Sequence, residues 1–115
     1  MVCIAGFDGY FKKINPAVSK LLEYSEEELY SKPINHFVFE EDRPFTSNAR
    51  NMIRKWIPLT DFENRYVTKS GEIVWLAWTS QPIEKEELVF EIAKNITRKK
   101  WLEKDTHTYL KVCRK

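Results

Sequence analysis

The chain has 115 residues, of which 43% are hydrophobic and 14% aromatic, so it can bury one core as a single domain and is too apolar to be disordered. Nineteen basic and 17 acidic residues leave a net charge of +2, which weighs against a nucleic-acid surface. The two cysteines, Cys3 and Cys113, form no disulfide framework, and no apolar run reaches the roughly 20 residues that span a bilayer. With no signal-peptide pattern at the N-terminus, we expect free thiols, a cytoplasmic location and no membrane contact.

The chain opens with a predicted hairpin and a short helix. The hairpin consists of strand residues 2–5, turn residues 6–9 and strand residues 10–14. Asn15 and Pro16 fit the cap and the first turn of a helix over residues 17–23. Ser25, with Glu28 three residues later, predicts a capping box at the start of a second short helix.

A longer helix is predicted before the middle of the chain. Pro33 ends the second helix, and a helical turn (residues 34–38) and a polar connection (residues 40–44) follow. Apolar residues at helical spacing then predict a helix over residues 44–55. The side chains that we expect this helix to bury are Phe45, Ala49, Met52 and Ile53.

The second half changes to the period of β-strands. The predicted strands are residues 61–68, 73–83 and 88–96, with turns at residues 69–72 and 84–87. Thr97 is the predicted cap of a final helix that begins at Arg98. Consecutive hairpins favour one antiparallel sheet with the helices grouped on one face, which is an α+β architecture.

Several segments, in order along the chain, resemble the PAS family of sensory domains. They are residues 8–17 (DGYFKKINPA), 22–29 (LEYSEEEL), 41–43 (EDR), 63–66 (ENRY) with 69–72 (KSGE) and Trp75, and 95–100 (NITRKK). The resemblance covers residues 3–104 and is similar to PAS domains of bacterial sensor histidine kinases. It implies a five-stranded antiparallel sheet that cups a pocket under short helices. The chain departs from the family pattern at Glu23, where glycine is usual, and at Asn95, where aspartate is usual.

The resemblance also implies where the domain ends and which side chains face the pocket. It implies a PAS core at residues 1–97 and, at residues 98–115, a linker helix that passes a conformational change to an output domain. Alternation along the strands, aligned with flavin-binding light-sensing PAS domains at residues 68–71 and 81–82, predicts the side chains that face the pocket. Together with two from the helices, these candidate ligand-binding residues are Phe37, Met52, Asn64, Tyr66, Leu76, Trp78, Ser80, Glu91 and Ala93.

The sequence allows two interpretations of what occupies this pocket. The rings of Tyr66 and Trp78 can simply fill it. Alternatively, it binds a small apolar or aromatic metabolite, with Asn64, Ser80 and Glu91 as polar anchors. A register shift of one residue would turn Glu91 outward.

The opposite face of the sheet predicts an interface. Trp75, Phe90 and Ile92 would form an apolar patch there, and such patches on small domains mark interaction sites. Either the final helix folds back over the patch or a second copy packs on it, and we predict a homodimer through this face.

The resemblance gives no support for a haem or a covalent flavin. Flavin-sensing relatives use a cysteine near residues 34–37, and this segment has no cysteine. Haem-binding relatives use a histidine on the long helix, and residues 44–55 have no histidine. His36 is expected at the surface or at a cap, and His107 lies in the tail without a partner. Nothing in the sequence supplies the converging ligands of a metal site.

The sequence predicts a non-catalytic signalling module. It contains no Gly-rich phosphate loop and no paired nucleophile and base, and residues 105–108 do not match the phospho-acceptor box of histidine kinases. We therefore predict a sensory domain of a two-component histidine kinase, acting through its pocket and dimerisation on a downstream kinase or output domain. The alternatives are a ligand-free dimerisation module and the sensor half of a transcription regulator.

Overall fold

A computed structural model describes residues 1–83 and 85–103 of the chain. Its strands are β1 (Val2–Gly6), β2 (Phe11–Ile14), β3 (Leu59–Val67), β4 (Ile73–Ile83) and β5 (Leu88–Asn95). Its helices are α1 (Pro16–Leu22), α2 (Glu26–Ser31) and α3 (Arg43–Arg54), with 3₁₀ turns at Ile34–Phe37 and Glu40–Asp42. A further helix, α4, is described over residues 97–103.

The strands form one antiparallel sheet in the order β2-β1-β5-β4-β3. The helices carry the chain from the β2 edge across one face to the β3 edge, and the β3-β4-β5 meander then returns β5 to the side of β1. This confirms the predicted α+β architecture. Because β1 and β5 are adjacent inside the sheet, the first and last strands of the described chain pair directly with each other, as Val2 with Ile92 and Ile4 with Phe90.

The starts of the first two helices differ in how they are capped. At α2 the predicted capping box is confirmed, since the Glu28 N–H donates to the Ser25 hydroxyl at 3.1 Å and the Ser25 N–H donates to the Glu28 carboxylate at 3.0 Å. Asn15 is the N-cap residue of α1 as predicted, but its side chain makes no capping bond, because its amide oxygen accepts from the Val2 N–H at 3.1 Å instead. Pro16 begins α1 as expected.

The α1 helix ends at Glu23 with the left-handed backbone that usually selects glycine, at φ 66°. The Glu23 carboxylate accepts from the Ser70 hydroxyl at 2.5 Å and from the Ser70 N–H at 3.3 Å. In the same place, the Lys69 N–H donates to the Leu22 carbonyl. These bonds join the end of α1 to the β3–β4 turn, and they give a physical reason for a carboxylate where the family pattern has glycine.

The buried face of α3 differs in part from the predicted one: Ala49 and Ile53 are buried as expected, and the other two residues are not. Phe45 and Met52 are 58% and 44% exposed, so the expectation that both are buried, and that Met52 lines the pocket, is wrong. The residues that α3 turns toward the sheet follow helical spacing as Thr46, Ala49, Arg50 and Ile53. Thr46 is held inward because its hydroxyl accepts from the Asn64 amide at 3.0 Å. Phe45 instead stacks on Phe62, with ring centroids 4.9 Å apart.

The α4 helix begins at Thr97, and the side chain of Thr97 does not cap it as predicted. Asn95 accepts from the Thr97 N–H at 3.0 Å, so its neutral amide oxygen keeps a hydrogen bond at the position where the family pattern has aspartate. The Thr97 hydroxyl accepts from the Trp75 N–H at 2.9 Å, which ties the start of α4 to β4. The rest of the predicted linker helix, residues 104–115 with His107 and Cys113, lies outside the described residues. Within the described part of the chain, none of the helices is long and apolar enough to cross a membrane.

The core lies between the helices and the inner face of the sheet. Its side chains include Val18, Leu22, Leu29, Ile34, Phe37, Ile53, Leu76 and Val89. Away from the core, the start of α3 is bonded to β3, since the Arg65 guanidinium donates to the Asp42 carboxylate at 2.6 and 3.0 Å. The sheet therefore has a covered inner face and an outer face that the helices α1 to α3 do not cover.

Candidate functional site

The inner face of the sheet and α3 enclose a small cavity at the position predicted for the pocket. It is lined by Thr46, Ala49, Arg50, Ile53, Leu59, Phe62, Asn64, Tyr66, Trp78, Ser80 and Glu91. Alternation along β3, β4 and β5 brings the strand residues to this face, since side chains two residues apart share a face. The α3 residues come from the stripe that begins at Thr46.

The structure separates the nine candidate pocket residues into three groups. Those that line the cavity are Asn64, Tyr66, Trp78, Ser80 and Glu91. Phe37, Leu76 and Ala93 are buried but belong to the surrounding core. Met52 is the exception, on the exposed side of α3. Glu91, whose orientation was open at the level of the sequence, faces inward and is 3% exposed.

The cavity is almost completely filled by side chains. The space that water can occupy within it is about 20 Å³, which is room for one water molecule. Tyr66 and Trp78 supply most of the filling, with ring centroids 5.7 Å apart and exposures of 1% and 4%. A drug-sized ligand needs a cavity of roughly 300 Å³ or more, so this arrangement offers no preformed metabolite site.

A chain of neutral hydrogen bonds fixes one side of the cavity. The Trp78 indole N–H donates to the Asn64 amide oxygen at 3.0 Å, and the Asn64 amide nitrogen donates to the Thr46 hydroxyl at 3.0 Å. Because both polar ends of Asn64 are satisfied, its burial carries little penalty. The chain connects α3, β3 and β4 and locks the ring of Trp78 in place.

The other side of the cavity holds a buried carboxylate. Glu91 accepts from the Ser80 hydroxyl at 3.2 Å and from the Cys3 thiol at 3.6 Å. The Arg50 guanidinium lies 3.7 Å from the same carboxylate, as an ion pair without a hydrogen bond. Glu91 thus gathers contacts from β1, β4 and α3, which compensate the desolvation of its charge.

Neither the Cys3 thiol beside Glu91 nor the Tyr66 hydroxyl in the cavity is activated as a nucleophile. Burial raises the pKa of the free Cys3 thiol far above its ordinary value, and the neighbouring Glu91 charge raises it further. Burial likewise raises the pKa of Tyr66. A thiol that stays protonated is a poor nucleophile, so this arrangement favours a structural role over covalent chemistry.

The outer face carries an exposed apolar patch on the adjacent strands β1 and β5. Phe90 and Ile92 are 40% and 47% exposed on β5. Ile4 and Val2 of β1 are their direct pairing partners and are half-buried. We call these four residues, Val2, Ile4, Phe90 and Ile92, the outer patch.

Trp75, the third predicted interface residue, lies apart from the outer patch. Its β4 position is four residues from Thr79, which pairs with Ile92, and four strand residues span about 13 Å. Its ring has the Lys100 ammonium at 5.0 Å and the Arg65 guanidinium at 5.2 Å from its centroid. The start of α4 therefore covers Trp75 in part, and the three predicted residues do not form one continuous surface.

The sequence prediction missed eight residues of these two surfaces, and four of them show why. Thr46 and Arg50 line the cavity, and Val2 and Ile4 belong to the outer patch. The alternation that buries Cys3 and Ala5 would have placed Val2 and Ile4 outward. Thr46 and Arg50 lie at helical spacing with Ala49 and Ile53, but a hydrophobicity pattern passes over polar residues.

A family model described as the PAS fold matches residues 11–93. Among solved structures, a PAS domain from Colwellia psychrerythraea is 24% identical, with a TM-score of 0.72 over 84% of this chain and 86% of that chain. A PAS domain from a two-component sensor histidine kinase is also 24% identical, with a TM-score of 0.68 and 82% of each chain covered. A domain of a sensory box sensor histidine kinase/response regulator from Geobacter sulfurreducens is 17% identical, with a TM-score of 0.71 over 81% and 80% of the two chains. No curated protein sequence matches the chain.

Proposed function

The chain belongs to the PAS fold family, and on that premise we propose that it is a non-catalytic signalling module that acts by associating with a second copy through the outer patch. The similarity to PAS domains of sensor histidine kinases supports a two-component histidine kinase as the parent protein. In such a protein α4 would lead from β5 toward the output domain.

The observation that carries this proposal is the contrast between a filled cavity and an exposed sheet face. The cavity under α3 has room for one water molecule, whereas Phe90 and Ile92 are 40% and 47% exposed side by side on β5. Exposed contiguous apolar surface on a small domain marks an interaction site. A two-fold axis through the sheet face would let the same patch serve both copies, as closed dimers require.

A matched pair of substitutions tests the association. Ile92→Glu places a charge in the outer patch, and Ile57→Glu makes the same change at a residue of similar exposure, 41%, that follows α3. We expect sedimentation velocity to show a dimer for the wild type and for Ile57→Glu, and a folded monomer for Ile92→Glu. If Ile92→Glu stays folded by circular dichroism and associates like the wild type, the outer patch is not the interface.

Ligand sensing is the second candidate function, and the polar groups around Glu91 favour it. Asn64, Ser80 and Glu91 would anchor a small molecule if the ring of Trp78 moved aside. Native mass spectrometry of freshly purified protein, with an absorption spectrum beside it, separates the two functions. A bound small molecule or a coloured cofactor would support ligand sensing, and a ligand-free dimer mass would support the association module.

A further inference from the structure

A second cavity, separate from the filled one, opens beside α3. It has a volume of about 170 Å³ and lies between the turn that joins β1 to β2, the segment after α2, and α3. The polar side chains that line it are Asp8, Asn35, Ser47, Arg50, Asn51 and Arg54. We call it the polar cleft.

Arg50 borders both the polar cleft and the inner cavity, and its Nε–H has no hydrogen-bond partner among the described residues. The side chain of Arg50 is 14% exposed, and its guanidinium lies 3.7 Å from the Glu91 carboxylate, which is too long for a hydrogen bond. Within the described residues, Arg50 Nε and Asn35 Oδ1 are two of the three buried side-chain atoms without a hydrogen-bond partner. A guanidinium has five N–H donors, and leaving buried donors unpaired is costly. The Nε–H of Arg50 therefore lacks an acceptor, whereas Asn35 Oδ1 lacks a donor.

Arg54 adds a second cation to the same cleft, one helical turn from Arg50. Its guanidinium is fixed in place, because Nε donates to the Phe7 carbonyl at 2.8 Å and Nη1 donates to the Asn51 amide oxygen at 2.8 Å. Like charges four residues apart on a helix repel each other. The nearby Asp8 carboxylate accepts hydrogen bonds from the Lys12 ammonium at 2.7 Å and from the Tyr10 N–H at 3.1 Å, so its charge is balanced by Lys12.

We propose that the polar cleft binds a small oxyanion, a short carboxylate or inorganic phosphate, between Arg50 and Arg54. Such an ion supplies the acceptor oxygens that Arg50 lacks and relieves the repulsion between the two guanidinium groups. Guanidinium groups match carboxylate and phosphate oxygens in geometry and form strong charge-assisted hydrogen bonds with them. The volume, equal to that of roughly five or six liquid waters, fits an ion of this size and excludes a nucleotide. The site is separate from the outer patch, so it stands or falls independently of the proposed association.

Two-dimensional amide NMR of the 115-residue chain tests the site. Sodium acetate and sodium phosphate are titrated separately, with sodium chloride added to keep the ionic strength constant. We expect saturable shifts of the Gly9, Asn35 and Asn51 amides, and the anion that saturates at lower concentration identifies the preferred chemistry. Arg54→Gln should weaken binding by roughly tenfold, because it removes a charge-assisted contact at an exposed position. Its amide spectrum shows whether the fold survives the loss of the bonds to Phe7 and Asn51.

Arg98→Gln is the matched control, since Arg98 is an exposed arginine on α4, away from the cleft. It should bind the anion like the wild type. The proposal is overturned if chloride alone reproduces the shifts, if neither anion gives saturation, or if Arg98→Gln weakens binding as much as Arg54→Gln. Arg50→Gln, where it folds, should abolish saturable binding, and retained wild-type affinity in that variant would also overturn the site.

Discussion

The two faces of the sheet each carry an ion pair between a glutamate and a long cationic side chain. On the inner face, Arg50 and Glu91 are 3.7 Å apart, with side chains 14% and 4% exposed. On the outer face, Lys100 and Glu63 are 2.7 Å apart, with side chains 29% and 37% exposed. Distance alone would rank the outer pair as the stronger.

Environment reverses that ranking. Water competes for both partners of an exposed pair and screens their attraction, so such pairs contribute little to stability. Inside, the Glu91 charge is removed from water, and each contact that it keeps offsets a large desolvation penalty. The inner face should therefore be intolerant of change, and the outer face should tolerate it and remain available for binding. The predictions below test that contrast.

Trp78→Ala should have the largest effect. It removes a ring that is 4% exposed, leaves a cavity beside Tyr66, and takes away the donor to Asn64. We expect the free energy of unfolding to fall by about 3–5 kcal/mol, as measured by urea denaturation. Trp56→Ala is the control, since Trp56 is 47% exposed and contacts chiefly Phe7, and it should cost about 1 kcal/mol. Equal losses in the two variants would mean that Trp78 does not hold the inner face together.

Glu91→Gln should follow in magnitude. The variant keeps the shape of the side chain and an acceptor for Ser80, but it leaves the Arg50 charge without its counter-charge. We expect a loss of about 1–3 kcal/mol in the free energy of unfolding. Because Arg50 still reaches the polar cleft, the loss should be partly recovered in phosphate or acetate at constant ionic strength. A variant as stable as the wild type would show that the ion pair contributes nothing.

The local elements of the fold could be predicted because their signals are local. Residues 73–83 are rich in Trp and β-branched residues and form the predicted strand, Ile73–Ile83, and Ser25 and Glu28 form the predicted capping box within one helical turn. The inner and outer faces of β4 follow from the two-residue period of a strand. Where chain neighbours decide the structure, sequence patterns are sufficient.

The buried face of α3 could be predicted only in part, because its partners are distant in sequence. Hydrophobicity favours a face with Phe45 and Met52, yet the structure turns Thr46 and Arg50 inward. Their burial depends on contacts with Asn64 and Glu91, which lie far along the chain on β3 and β5. For the same reason, the partial covering of Trp75 depends on the direction that α4 takes from Thr97.

Asp42→Asn should have a smaller effect that depends on pH. Hydrogen bonds from Arg65 hold the pKa of the Asp42 carboxyl below its ordinary value. The unfolded chain, with its higher pKa, binds more protons in acid, so this contribution is fully present above about pH 4 and is lost as the pH falls through the folded pKa. We expect the variant to lose about 0.5–1 kcal/mol at neutral pH, because the pair is partly exposed.

Urea denaturation of both proteins from neutral pH downward measures this difference. Other carboxylates with lowered pKa values, such as Asp8 and Glu28, titrate in both proteins and cancel in the comparison. The gap between wild type and variant should narrow below about pH 4. A gap that stays constant with pH would assign the role of Asp42 to packing.

Glu63→Gln should have the smallest effect, and it is the direct counterpart of Glu91→Gln. It breaks the shorter of the two ion pairs, but both partners remain in water and Lys100 keeps its position over the Trp75 ring. We expect the free energy of unfolding to change by less than about 0.5 kcal/mol, and high salt should remove even that difference. Because the chemical change is the same on both faces of the sheet, comparing the two variants shows whether the length of an ion pair or its burial decides its contribution to stability. If Glu63→Gln lowers the free energy of unfolding as much as Glu91→Gln does, the outer face is as intolerant of substitution as the core. The contrast between the two faces would then be wrong.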